Sequence, residues 1–97
     1  LLGLMRSVAV DGGAHGVTSN AVLPGWVRTE MAERSARQEA KDRGLTTGQV
    51  WEERAALYPP GRVVTPREVA EVIAFLASEE ASGVSGEAIR VALGSVW

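Results

Sequence analysis

Residues 17–29 read Val-Thr-Ser-Asn-Ala-Val-Leu-Pro-Gly-Trp-Val-Arg-Thr, and this stretch decides the fold. Residues 17–23 are short and β-prone at their ends, which predicts a strand. Pro24 and Gly25 stop that strand at its C-terminal edge. A long segment follows before the next strand pattern, so the strand opens into a crossover rather than a hairpin.

Helical patterns lie on both sides of this strand. Apolar residues recur with helical spacing from Leu1 to Ala9, and Gly12-Gly13 supply the backbone freedom that a helix end uses. No capping side chain precedes Leu1, so we expect the first turns of this helix to be missing. Further helices are predicted over residues 30–43, 46–57 and 65–77, the last of them mostly covered, and a strand over residues 88–93.

The order of elements is helix, strand, helical crossover, helix, strand. Two strands joined by so long a crossover are normally parallel and right-handed. The sequence therefore predicts an α/β fold, part of a Rossmann-type doubly wound parallel sheet, with a substrate lid at about residues 30–64. A parallel sheet needs more than two strands and cover on both faces. We therefore expect residues 1–97 to be the C-terminal half of a single, larger domain.

Composition excludes several functional classes. Lys plus Arg number 10 and Asp plus Glu number 12, so the net charge of -2 offers no basic face for nucleic acid. The chain has no Cys and one His, which disfavours a metal site and a disulfide framework and predicts an intracellular, cytoplasmic protein. The apolar runs are shorter than the roughly 20 residues of a membrane span. Two placements of Trp97 stay open, packed against another subunit or frayed.

Pro24-Gly25 has two interpretations. Open α/β sheets bind ligands beyond the carboxyl ends of their strands, and Gly25 lets backbone approach a ligand while Thr29 offers a hydroxyl. The simpler interpretation is a strand stop with no ligand.

A family resemblance favours the first interpretation. Residues 20–29, Asn-Ala-Val-Leu-Pro-Gly-Trp-Val-Arg-Thr, resemble the segment after the sixth strand of short-chain dehydrogenases/reductases. Pro60-Gly61-Arg62, Thr65-Pro66, and the segments at 75–78 and 81–87 resemble the family's closing stretch in the same order. The resemblance covers the whole chain except the lid from Ala32 to Tyr58.

The resemblance implies roles for seven residues. Pro24, Gly25, Val27 and Thr29 would contact the nicotinamide end of NAD or NADP, with the Val27 amide and the Thr29 hydroxyl as hydrogen-bonding groups. The substrate pocket would be walled by Trp26, Met31 and Trp51. The implied chemistry is reversible hydride transfer between nicotinamide and a small carbonyl or alcohol substrate, in a homo-oligomer.

The resemblance also implies what this chain does not carry. The family's catalytic Tyr-x-x-x-Lys would fall just before Leu1, and the only tyrosine, Tyr58, has no Lys four residues on. We therefore expect no catalytic residue here and no activity without the N-terminal cofactor-binding half. Two alternatives stay open: a non-catalytic remnant or subunit-assembly module of the same fold, and a lid-bearing domain of another Rossmann family.

Overall fold

The computed structural model describes residues 1–95, which form two compact units. The first unit comprises residues 1–23 and 67–91, and the second comprises residues 24–66 and 92–95. The elements in chain order are α1 (Leu2–Gly13), β1 (Ala21–Pro24), α2 (Glu30–Arg43), α3 (Thr47–Ala56), α4 (Pro66–Leu76), a 3₁₀-helix (Glu79–Ala81) and β2 (Ala88–Val91). Trp97 lies outside the described residues.

The first unit is built around β1 and β2, which pair as neighbouring parallel strands. The Ala21 N–H donates to the Glu87 carbonyl at 2.8 Å. The Asn20 side chain joins both segments, since its Nδ2 donates to the Val84 carbonyl at 3.0 Å and its Oδ1 accepts from the Glu87 N–H at 3.1 Å. The predicted α/β class with parallel strands is confirmed.

Both strands are shorter than predicted. The strand expected over residues 17–23 begins only at Ala21, because the residues before it close the end of α1 and Asn20 meets the partner segment through its side chain. The strand expected over residues 88–93 ends at Val91. Leu93 and Gly94 then have φ angles of 53° and 85°, a left-handed turn that no strand continues through.

The end of α1 also differs from the prediction. Gly12 and Gly13 remain helical, and the left-handed residue is Gly16, with φ of 71°. The Val17 N–H donates back to the Gly12 carbonyl at 3.0 Å, which closes the helix. A Cβ on Gly12 would stand 3.0 Å from the Val17 Cβ, so that glycine serves close packing rather than backbone freedom.

Apolar side chains of α1 and α4 are open to solvent in this chain. Phe75 is 50% exposed, and within the described residues no side chain of α4 is buried. The predicted cover on this helix is therefore not supplied here, because two short strands bury too little area. A cleft of about 360 Å³ in the same unit is lined by Thr18, Asn20, Val22, Ile73, Leu76 and Ala77.

The second unit holds the main hydrophobic cluster, between α2 and α3. Its buried members are Ala32, Ala36, Ala40, Val50 and Trp51. Small side chains every fourth residue on α2 let α3 approach closely. Local signals set the helix bounds: Thr29 caps α2, left-handed Gly44 ends it, and Thr46 with Gln49 forms a capping box at the start of α3, as predicted.

Candidate cofactor and substrate site

All seven residues assigned from the resemblance lie in the second unit. Pro24 ends β1, four residues lie on the turn after it (Gly25, Trp26, Val27 and Thr29), and Met31 and Trp51 lie on α2 and α3. At this turn Val27 forms a parallel bridge with Val64, in which the Val64 N–H donates to the Trp26 carbonyl at 3.0 Å. Because a trans peptide is planar, the Val27 N–H points opposite to the Trp26 carbonyl and so away from Val64. No hydrogen bond within the described range 1–95 uses that N–H.

Thr29 stands two residues further along as the N-cap of α2. Its Oγ1 accepts a hydrogen bond from the Ala32 N–H at 3.2 Å, and its backbone N–H donates to the Val27 carbonyl at 2.9 Å. A threonine hydroxyl also carries a donor hydrogen, which capping leaves available. The turn thus presents two donors close in sequence, the Val27 N–H and the Thr29 O–H.

Gly25 has no room for a side chain. A Cβ there would stand 2.6 Å from the Tyr58 hydroxyl oxygen and 2.9 Å from its Cε1. Tyr58 itself is 4% exposed, and its hydroxyl accepts the Trp26 N–H at 2.5 Å. The glycine is therefore required on this side by the packing of Tyr58, independently of any ligand.

A buried arginine lies against the two tryptophans of the predicted substrate wall. The Arg54 guanidinium carbon is 3.8 Å from the Trp26 ring centroid and 4.8 Å from that of Trp51. The two rings meet edge to face at 6.5 Å between centroids. Arg54 also donates to the Ala32 carbonyl at 3.3 Å and to Ser35 Oγ at 3.3 Å. This arrangement combines cation–π attraction with hydrogen bonds in a largely dry setting.

Glu33 ties the outer side of this cluster together. It accepts hydrogen bonds from Arg28 Nε at 2.5 Å and from Trp51 Nε1 at 3.0 Å. The Arg28 guanidinium carbon also lies 4.9 Å from the Trp51 ring centroid. The hydrogen bond from Arg28, followed by that from Trp51, holds the pKa of Glu33 below its usual range. The carboxylate is therefore charged wherever the protein is folded near neutral pH.

The three predicted substrate-wall residues differ in how they meet solvent. Met31 is 74% exposed and Trp26 is 38% exposed, so both offer apolar surface, whereas Trp51 is 5% exposed. The Trp26 and Trp51 rings contact each other, and a role for the three residues in binding substrate stays a prediction. The sequence reasoning missed the contributions of Arg54 and Tyr58. Only the spacing of Trp51 and Arg54, three residues apart on one helix, could have suggested that their side chains meet.

Residues 1–95 contain neither a metal-binding cluster of side chains nor a membrane-spanning helix. In that range no three or more His, Asp or Glu side chains are grouped so as to hold a metal ion. No helix there has the length and apolar character needed to cross a membrane.

Comparison with known proteins identifies the family. A family model described as enoyl-(acyl carrier protein) reductase matches residues 1–95. A solved oxidoreductase of the short-chain dehydrogenase/reductase family from Burkholderia thailandensis superposes with a TM-score of 0.82 at 32% identity, over 96% of this chain and 34% of its own. The chain belongs to the short-chain dehydrogenase/reductase family. The resemblance stated from residues 20–29 and the closing stretch is thereby confirmed.

Two further proteins, an oxidoreductase and a ketoreductase, also resemble this chain. Oxidoreductase UcpA of Salmonella typhimurium is 43% identical over 86 residues, which is 89% of this chain and 32% of UcpA. The F189W actinorhodin polyketide ketoreductase, solved with NADPH, superposes with a TM-score of 0.85 at 33% identity over 96% of this chain and 36% of its own. The chain spans about a third of the length of the curated relatives it matches.

Proposed function

We propose that this chain is the C-terminal part of an NAD(P)-dependent oxidoreductase that transfers hydride reversibly between nicotinamide and a small carbonyl or alcohol substrate. One observation carries the proposal beyond family membership. The Val27 N–H is turned away from its bridge partner and lies close in sequence to the Thr29 hydroxyl, just after the carboxyl end of a parallel strand. Donors that follow the carboxyl end of a parallel strand in sequence suit the carboxamide of a nicotinamide ring or a pyrophosphate oxygen.

The residues of this chain bind and orient rather than react. When bound, the nicotinamide supplies or accepts the hydride. The backbone of Pro24, Gly25 and Val27 would contact the nicotinamide end of the cofactor, and the Thr29 hydroxyl would donate to it. The half-exposed Trp26 ring and the exposed Met31 contact an apolar part of the substrate. Buried Trp51 acts on the substrate indirectly, by supporting the Trp26 ring.

The acid/base group of the reaction is proposed to come from outside these residues. Tyr58, the only tyrosine, is buried, and its hydroxyl oxygen is engaged by the Trp26 N–H. We infer that the exposed apolar faces of α1 and α4 pack against the cofactor-binding remainder of the domain, since the matched relatives are about three times longer. Activity then needs that remainder, in a cytoplasmic homo-oligomer, and residues 1–97 alone are inactive.

The test uses the intact native protein and two matched N-cap variants. Thr29→Val and Thr46→Val each remove a hydroxyl that caps a helix, and each costs about 1 kcal/mol of stability. Only Thr29 belongs to the proposed cofactor site. We expect Thr29→Val to weaken NADH or NADPH binding, followed by cofactor fluorescence, by about five-fold, a typical loss for one hydrogen bond. Thr46→Val should bind NADH or NADPH as tightly as the wild type does. A wild-type protein that binds neither cofactor would overturn the proposed function.

The assembly-module alternative is supported by the same open faces on α1 and α4. It predicts association with other subunits but no cofactor binding. Reading the residues encoded just before Leu1 separates the two functions, because Tyr-x-x-x-Lys there supports the enzyme. The absence of Tyr-x-x-x-Lys, together with titrations that show no binding of NADH or NADPH, would favour the assembly module.

A further inference from the structure

We propose that Tyr58 is a positioning residue for the cofactor-binding turn, acting through the Trp26 backbone and Gly25. This inference rests on the proposed function. Its basis is a contact between residues 32 positions apart: the Tyr58 hydroxyl accepts the Trp26 N–H at 2.5 Å while its ring fills the space beside Gly25. Both contacts lie inside the second unit.

The contact fixes one of two consecutive peptide groups. The peptide group between Gly25 and Trp26 carries the N–H that Tyr58 holds. The next peptide group carries the Trp26 carbonyl, which accepts from Val64 at 3.0 Å, and the Val27 N–H on its opposite side. With both peptide planes held, the Val27 N–H points in one direction before the cofactor binds. The proposed contact with the cofactor therefore costs little conformational entropy.

The Tyr58 ring also restricts the Gly25 backbone sterically. Its Cζ and Cε1 lie 3.0 Å and 2.9 Å from where a Gly25 Cβ would be, so the ring packs directly over the glycine. The side chain is 4% exposed, so it is packed on nearly all sides. Tyr58 therefore links the turn to the end of helix α3, and displacement of the end of α3 shifts the cofactor contact.

The experiment compares Tyr58→Phe with the wild type in the intact native protein. Phenylalanine keeps the ring against Gly25 and removes the hydroxyl that accepts the Trp26 N–H. We expect the dissociation constant for NADH or NADPH to rise roughly three- to ten-fold, the range for one lost hydrogen bond. The KM for the cofactor should rise by the same factor while kcat changes less than two-fold, because Tyr58 touches no reacting atom.

Thr46→Val is the matched control, since it also removes a side-chain acceptor from a backbone N–H, that of Gln49, but leaves the turn intact. Its cofactor affinity should equal that of the wild type. Equal affinity of Tyr58→Phe and wild type, or equal weakening in both variants, would overturn the positioning role. A wild-type protein that binds neither cofactor would instead overturn the proposed function.

Discussion

Replacing Gly25 with alanine puts a methyl carbon 2.6 Å from the Tyr58 hydroxyl oxygen and 3.0 Å from its Cζ. Favourable contacts between carbon atoms lie at about 3.5–4.0 Å, so the ring must retreat by roughly 1 Å or the turn must open. Backbone strain plays no part, because the φ angle of Gly25 lies outside the left-handed region. The cost of Gly25→Ala therefore comes from packing alone.

The expected magnitude follows from three contributions. Overpacking a filled site costs about 1–3 kcal/mol. Moving the ring also loses its hydrogen bond with the Trp26 N–H, about 1 kcal/mol. Alanine lowers the entropy of the unfolded chain, which returns about 0.4–1 kcal/mol. We expect Gly25→Ala to lower the free energy of unfolding by about 1–3.5 kcal/mol in urea titrations of the intact protein followed by circular dichroism.

A second variant and a control make the prediction specific. Tyr58→Leu removes the ring, so Gly25→Ala should cost less than about 0.5 kcal/mol in that background, which gives a coupling of at least about 0.5 kcal/mol. Gly48→Ala is the control, because a Cβ on Gly48 within α3 would lie 3.9 Å from Thr46 Oγ1, an ordinary contact distance. This variant should raise the free energy of unfolding by about 0.5–1 kcal/mol. The reasoning is refuted if Gly25→Ala is as stable as the wild type, or if it costs the same with and without Tyr58.

Two further predictions concern the cluster around the tryptophans. Arg54→Lys should lower the free energy of unfolding by about 2–3 kcal/mol in the same titrations. A lysine ammonium cannot both stack on the Trp26 ring and reach the Ala32 carbonyl and Ser35 Oγ. A free energy of unfolding within about 0.5 kcal/mol of wild type would contradict this. The pKa of Glu33 is lower in the folded protein than its ordinary value of about 4.5, so the charged carboxylate stabilises the fold. This stabilisation is fully present above about pH 4.5 and is lost as the pH falls through the lower pKa of the folded state. Glu33→Gln should therefore flatten the fall in stability below about pH 4.5, and parallel pH profiles for variant and wild type would show that Glu33 contributes nothing.

Elements with local signals were predictable almost to the residue. The predicted helix over residues 30–43 matches α2, because Thr29 and Gly44 define its ends through contacts within a few residues. The capping box of Thr46 and Gln49 likewise predicted the start of α3. The strand ends were less predictable, since a strand lasts only as long as its partner pairs with it, and that partner lies more than 60 residues away.

The candidate site divides in the same way. The order of motifs was enough to identify the family and to point to residues 24–29, where the structure places the Val27 N–H and the Thr29 hydroxyl at one turn. Nothing in the local pattern predicted that Tyr58 would occupy the space beside Gly25. That contact depends on the path of the whole crossover.

The sequence by itself therefore determined the helices, the bounds of α2 and α3 and the family, because each rests on hydrogen bonds or motifs among near neighbours in the chain. Only the tertiary structure decided that Arg54 would lie buried against Trp26 and Trp51 and that Tyr58 would hold the Trp26 backbone. Arg54 lies 28 positions from Trp26 in sequence, and Tyr58 lies 32 positions from it. Their geometry is set by how α3 packs on α2, and the apolar pattern that drives this packing does not specify which polar atoms it brings together.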